Sequence, residues 1–120
     1  MISILLLALV FAALHGCASS SPETAVKEFL EAATRGNEKR MVRWTVEGNL
    51  GTYRGGERFL SEWDARYRLI RISLEGNRSV AIVEFEVGEK RVEVPYVCRR
   101  KGGKWKISLV ETMKTREEGV

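Results

Sequence analysis

The side chains of this chain that could do chemistry are two thiols, a lone aspartate and a set of aromatic rings. Its two cysteines are Cys17 and Cys98. A thiolate is a nucleophile and neighbouring cations lower its pKa, so Arg99 and Arg100 beside Cys98 are the setting a reactive thiol would use. Alternation along the surrounding segment points the other way. It turns Cys98 toward an apolar face and Arg99 toward the opposite one, which suits a small buried hydrophobe. Asp64 is the only aspartate. With Tyr53, Arg54 and Tyr67 nearby in sequence it could act as a general base, although a surface ion pair with Arg66 or Arg68 is the simpler use. Trp44, Trp63, Tyr67 and Tyr96 could line a pocket for a small apolar ligand. Together with Trp105 they could equally fill the core of a small domain.

Cys17 closes the only long apolar run, Ile2–Leu14, which is broken only by Ser3. That run is shorter than the ~20 residues of a spanning helix and matches the central segment of a signal peptide. An ordinary secretory signal and an uncleaved apolar helix are the other readings of the run. Leu14-His15-Gly16-Cys17 resembles the lipobox of bacterial lipoproteins, and Ala-Ser-Ser-Ser follows as a small, polar tether. The resemblance implies a signal peptide over residues 1–16 and acylation of Cys17, with a tether over residues 17–21. The product would be a lipid-anchored domain on the exported side of the cell membrane or outer membrane. Once Cys17 is acylated, Cys98 is the only thiol left and no internal disulfide can form. His15, the only histidine, leaves with the signal, which excludes a zinc-finger type of metal site. No metal or cofactor is expected.

The remaining chain is long enough for one domain and one core. Its formal net charge is +4, but the 20 basic and 16 acidic residues are interspersed. The longest basic run is Arg99-Arg100-Lys101, so the surface is solvated and carries no nucleic-acid footprint.

Helical spacing places Val26, Phe29, Leu30 and Ala33 on one stripe. Ser20 and Glu23 form a possible capping box there, and Pro22 suits the first turn. Gly36 ends this helix, and Asn37 caps a second over Glu38 to Val46. Glycines mark a loop from Gly48 to Gly56, and Phe59, Leu60 and Trp63 suggest a third helix over Glu57 to Arg66. Four strand-like segments follow: Tyr67 to Glu75, Ser79 to Val87, Lys90 to Lys101 and Lys104 to Glu111. Turns at Gly76-Asn77, Gly88 and Gly102-Gly103 join them. Residues 112–120 read as a polar tail. This order predicts an α+β domain over residues 22–111, with N-terminal helices on one face of a four-stranded antiparallel sheet. Alternation puts Ile70, Ile72, Leu74, Ala81, Val83, Phe85, Val87, Val92, Val94, Tyr96, Cys98, Trp105, Ile107 and Leu109 under the helices. The opposite face carries Leu69, Val80, Ile82, Val97 and Val110 among charged residues. That is more apolar surface than a purely solvated face requires.

The opening Ser-Pro-Glu-Thr-Ala-Val-Lys-Glu-Phe-Leu-Glu-Ala with Arg35-Gly36-Asn37, and the closing Gly102-Gly103-Lys104-Trp105-Lys106-Ile107, resemble the first helix and last strand of NTF2-like domains. They are similar in particular to small lipoproteins related to lumazine-binding folds. The resemblance implies a cone-shaped α+β fold with a curved sheet. It also implies pairing through the outer sheet face, as a homodimer or with an envelope protein. An isomerase-like enzyme in such a cone needs a base and oxyanion donors, and the inward sheet positions offer no carboxylate and no histidine. The expectation is a non-catalytic binding or interaction module at the cell envelope. The alternative is a carrier or cryptic enzyme that uses an apolar pocket in the cone.

Overall fold

The structure, a computed structural model, describes residues 20–51, 53, 55, 57, 60, 62 and 65–118. Helix α1 spans Pro22–Thr34, with Ser21 as its N-cap: the Ser21 hydroxyl accepts the Thr24 N–H at 3.1 Å. The cap lies one residue later than the spacing of Ser20 and Glu23 suggests. The Ser20 hydroxyl is used elsewhere and accepts the Trp105 N–H at 3.2 Å. At the other end Gly36, at φ 66°, lets the chain reverse. Gly36 N–H then bonds the Ala33 carbonyl and Asn37 N–H that of Ala32, the paired closure that needs a left-handed residue. Asn37 in turn caps α2, Glu38–Arg43, through Oδ1 to the Arg40 N–H.

Strands β1 (Arg66–Glu75), β2 (Arg78–Val87), β3 (Lys90–Lys101) and β4 (Lys104–Ile107) form one antiparallel sheet in chain order. Residues 44–46 extend it past β4: Ile107 N–H donates to the Trp44 carbonyl and Val46 N–H to that of Ile107, both at 2.8 Å. Buried Ala25, Val26, Phe29, Leu30, Ala32 and Ala33 of α1 pack with Ala81, Val83, Tyr96, Cys98, Trp105 and Ile107 of the sheet. This is the α+β arrangement the sequence predicts.

Several expectations are corrected. A register shift between Leu69 and Arg71 puts a bulge at Ile70, so the alternation changes parity there. Leu69 therefore pairs with Val83 and packs on the core, where unbroken alternation had it facing outward. Ile72 and Leu74 keep the inward register but run beyond the helices, and Leu74 is 62% exposed. The last strand stops at Ile107, and helix α3, Leu109–Glu118, replaces both its end and the expected polar tail. Half of the segment expected to form a third helix lies outside the described residues; within it, Leu60 N–H bonds the Glu57 carbonyl in a single turn.

Helix α3 lies along the edge of β3 that β4 is too short to cover. Ser108 N–H donates to the Val97 carbonyl and Val97 N–H donates to Thr112 Oγ1, at 2.8 and 2.9 Å. Glu111 accepts both Arg99 Nε and Nη2, and Arg99 with Ser108 draws its carboxyl below the ordinary range. Val97 is fully buried as a result, so it is not part of an open outer face. Thr112 is also fully buried. Thr112→Val keeps its shape but leaves the Val97 amide without an acceptor. Urea denaturation should show a loss of about 1–3 kcal/mol, whereas a loss under about 0.5 kcal/mol would mean the edge is not sealed this way.

Candidate functional site: a buried carboxylate beneath an apolar cavity

The segment from Gly48 to Ala65 carries few apolar residues, yet it delivers one acidic side chain to the interior. Glu57 is only 4% exposed. Its Oε1 accepts the hydroxyls of Tyr53 and Tyr96, each at 2.6 Å, and Arg116 Nη2 at 3.2 Å. A buried charge persists when it is paired and hydrogen-bonded, and three parts of the chain meet to do this. Tyr53 comes from the loop and Tyr96 from the inner face of β3, where Phe29 of α1 meets its ring edge-on at 6.3 Å. Arg116 comes from the last turn of α3.

Arg116 is held on every side. Nη1 donates to the Tyr53 hydroxyl at 2.9 Å, Nε donates to the Pro95 carbonyl at 3.3 Å, and the guanidinium lies 4.8 Å from the Tyr96 ring centre. Pro95 fits here because β4 ends opposite Cys98, so no strand requires its missing N–H. Burial works against the Arg116 charge, but the Tyr53, Tyr96 and Glu57 oxygens outweigh it and hold its pKa above the usual value. Burial, then the Glu57 charge, pushes the Tyr53 and Tyr96 hydroxyls above theirs.

Oε2 of the same carboxylate is buried and takes no hydrogen bond from any described group. Gly55 makes its position possible. A Cβ at residue 55 would stand 1.8 Å from Oε2 and 2.4 Å from the Tyr53 oxygen, so only glycine allows this approach. Glu57 and Arg116 also line a cavity of about 240 Å³ whose other walls are Leu60, Phe85, Val87, Val92 and Val94. Val87 and Val92, at the turn end of the β2–β3 hairpin, are exposed and form its mouth.

The structure does not gather the aromatic residues that the sequence suggests for a pocket. Tyr96 is in the core and reaches the cluster through its hydroxyl. Half-buried Tyr67 packs on Phe85 at 6.2 Å, and Trp44 borders the core at the sheet extension. Trp63, Asp64 and Cys17 lie outside the described residues. Of the outer-face residues, Val80 and Ile82 are half-buried and Val110 is 65% exposed on α3. Cys98 is fully buried, and burial pushes its thiol up to about 12, so it is no nucleophile at neutral pH. Sequence reading missed Glu57, Gly55 and Arg116. The inward strand positions indeed supply no carboxylate, and the loop supplies it instead.

A helix-covered, curved sheet with a cavity at its open end is the NTF2-like fold. An NTF2-like protein of Campylobacter jejuni, provisionally named a transpeptidase, superposes with a TM-score of 0.54 at 13% identity. The match covers 74% of this chain and 98% of that one. An NTF2-like protein of unknown function from Shewanella baltica OS155 gives 0.51 at 12% identity, over 82% of this chain and 90% of its own. No family profile matches the sequence, and no curated protein does. Identities this low establish the fold and leave activity open.

Two outcomes follow from the cluster. Arg116→Met strands the Glu57 charge and should cost about 3 kcal/mol in urea denaturation, whereas Glu57→Leu combined with Arg116→Met should cost clearly less. Equal losses would mean the two side chains are not coupled. Tyr53, partly buried, and Tyr96, fully buried, both have raised pKa values, so the stability they contribute is complete below about pH 10 and is lost as pH rises further. In an alkaline absorbance titration, Tyr53 and Tyr96 should ionise only as the protein unfolds. Early, reversible ionisation of all three tyrosines would contradict the burial.

Proposed function

We propose that this protein is a membrane-anchored lipoprotein whose NTF2-like domain binds a small, largely apolar ligand without catalysing a reaction. The observation that carries the binding role is the cavity of about 240 Å³, apolar except for Glu57 and Arg116. Ligand sites have this character, a mostly apolar lining with few polar groups, and this volume falls just short of the ~300 Å³ of drug-sized sites. The ligand is accordingly small. The non-catalytic reading is supported by how the polar groups are used. Glu57 Oε1 is saturated by three donors, and the Cys98 thiol is locked away in the core.

Attachment to the membrane rests on the sequence Leu14-His15-Gly16-Cys17. Among the described residues no helix is long and apolar enough to cross a membrane. The Ser20 hydroxyl is bonded to β4, so three residue steps separate Cys17 from the folded domain, a reach of at most ~11 Å. That contact lies near the β3–β4 turn, while Val92 at the cavity mouth is eight residues back along β3, or ~27 Å away. The domain would thus sit close to the bilayer with its mouth turned away from it.

Cys17→Ser should move the protein from the membrane to the soluble fraction of lysed cells, and retention in the membrane would refute the anchor. Native mass spectrometry of that variant, purified without denaturant, should show a small adduct that Val94→Trp, which fills the cavity, removes. An adduct that persists in Val94→Trp would place the ligand elsewhere.

A further inference from the structure

The two oxygens of the Glu57 carboxylate are treated unequally. Oε1 takes three hydrogen bonds, and the equally buried Oε2 takes none from any described group. Buried acceptors are seldom left so. The side chain is more than nine-tenths buried, and it lines the apolar cavity next to Arg116. Oε2 lies against Gly55, and rotation about the soft last torsion of the glutamate is what would bring it to a molecule in the cavity.

Charge and size narrow what that molecule can be. Glu57 and Arg116 are paired at 3.2 Å, so for a cation the guanidinium's repulsion, and for an anion the carboxylate's, cancels most of the attraction that would offset its desolvation. A neutral hydrogen-bond donor meets neither repulsion. The remaining walls, Leu60, Phe85, Val87, Val92 and Val94, offer apolar contacts. A dry cavity of ~150 Å³ is known to admit benzene, so about 240 Å³ accepts a ring with a substituent. We infer that the cone selects a neutral, ring-sized apolar molecule bearing one hydroxyl, whose O–H donates to Glu57 Oε2. This inference rests on the proposed ligand-binding role of the cavity and assigns Glu57 as its selectivity-determining residue.

The test uses two probes of the same shape, 4-methylphenol and p-xylene, which differ by a hydroxyl in place of a methyl group. Each is titrated into the full-length protein in detergent. The wild type should bind 4-methylphenol at least tenfold more tightly than p-xylene. In Glu57→Gln the amide oxygen is held by the tyrosine hydroxyls, and the amide NH2 takes the place of Oε2. It cannot accept, so the preference should fall below about twofold. Should that variant fail to fold, the carbon-13 shift of the Glu57 carboxyl in wild type should move with 4-methylphenol and stay fixed with p-xylene. If both probes bind equally well to wild type, or the carboxyl shift ignores both, the hydroxyl selectivity is wrong and the cavity reading stands. If neither probe binds, the cavity reading fails together with this inference.

Discussion

A carboxylate at 4% exposure persists only while its partners stay in place, and in this protein the partners come from regions far apart in sequence. Tyr53 belongs to the loop, Tyr96 to β3 and Arg116 to the last turn of α3, and all three converge on one oxygen of Glu57. The requirement to keep that charge compensated ties the loop to the sheet and gives the C-terminal helix its seat. It also sets the character of the cavity above it, because the polar groups face one another and leave the other walls apolar. Removing any one partner would leave polar groups unpaired in the interior, which is costlier than never having buried them.

The rest of the fold supports that arrangement. A meander of four strands joined by glycine turns is a simple sheet, and two local features shape it. The bulge at Ile70 changes which residues at the start of β1 face inward and brings Leu69 onto the core, while Leu74, further along in the inward register, runs past the helices into solvent. The shortness of β4 opens the edge of β3 from Pro95 to Val97, and α3 seals it with backbone and threonine hydrogen bonds. Phe29 of α1 packs against the Tyr96 ring from the far side. The fold thus orients each partner of Glu57 from a separate element, so the cluster is as rigid as the scaffold.

Much of this architecture is legible in the sequence. The stripe of Val26, Phe29, Leu30 and Ala33, the stop at Gly36 and the cap at Asn37 define the helical layer, and glycine turns bound β3 at Lys90 and Lys101. The failures have local physical causes. Nothing in Leu69-Ile70-Arg71 announces a bulge, because all three residues suit an unbroken strand. Helix α3 buries only Leu109 and Thr112, too thin a stripe to outweigh its polar residues. The site itself was hidden for a related reason. Glu57 is one of many glutamates, and only the neighbouring Gly55-Gly56 and Tyr53 hinted that backbone and side chains crowd together there. Its partner Arg116 lies in a segment that reads as a polar tail, so pairing the two requires three-dimensional proximity.

The central claim is that the cone holds an accessible apolar cavity above the Glu57–Arg116 cluster. Xenon enters dry apolar cavities and shifts the methyl signals of the residues around it. Methyl NMR of the protein under xenon pressure should show shifts at Leu60, Val87, Val92 and Val94, with the core methyls of Val26 and Leu30 unmoved. Unchanged signals at all four lining residues, or shifts confined to the core, would contradict the cavity and the account built on it.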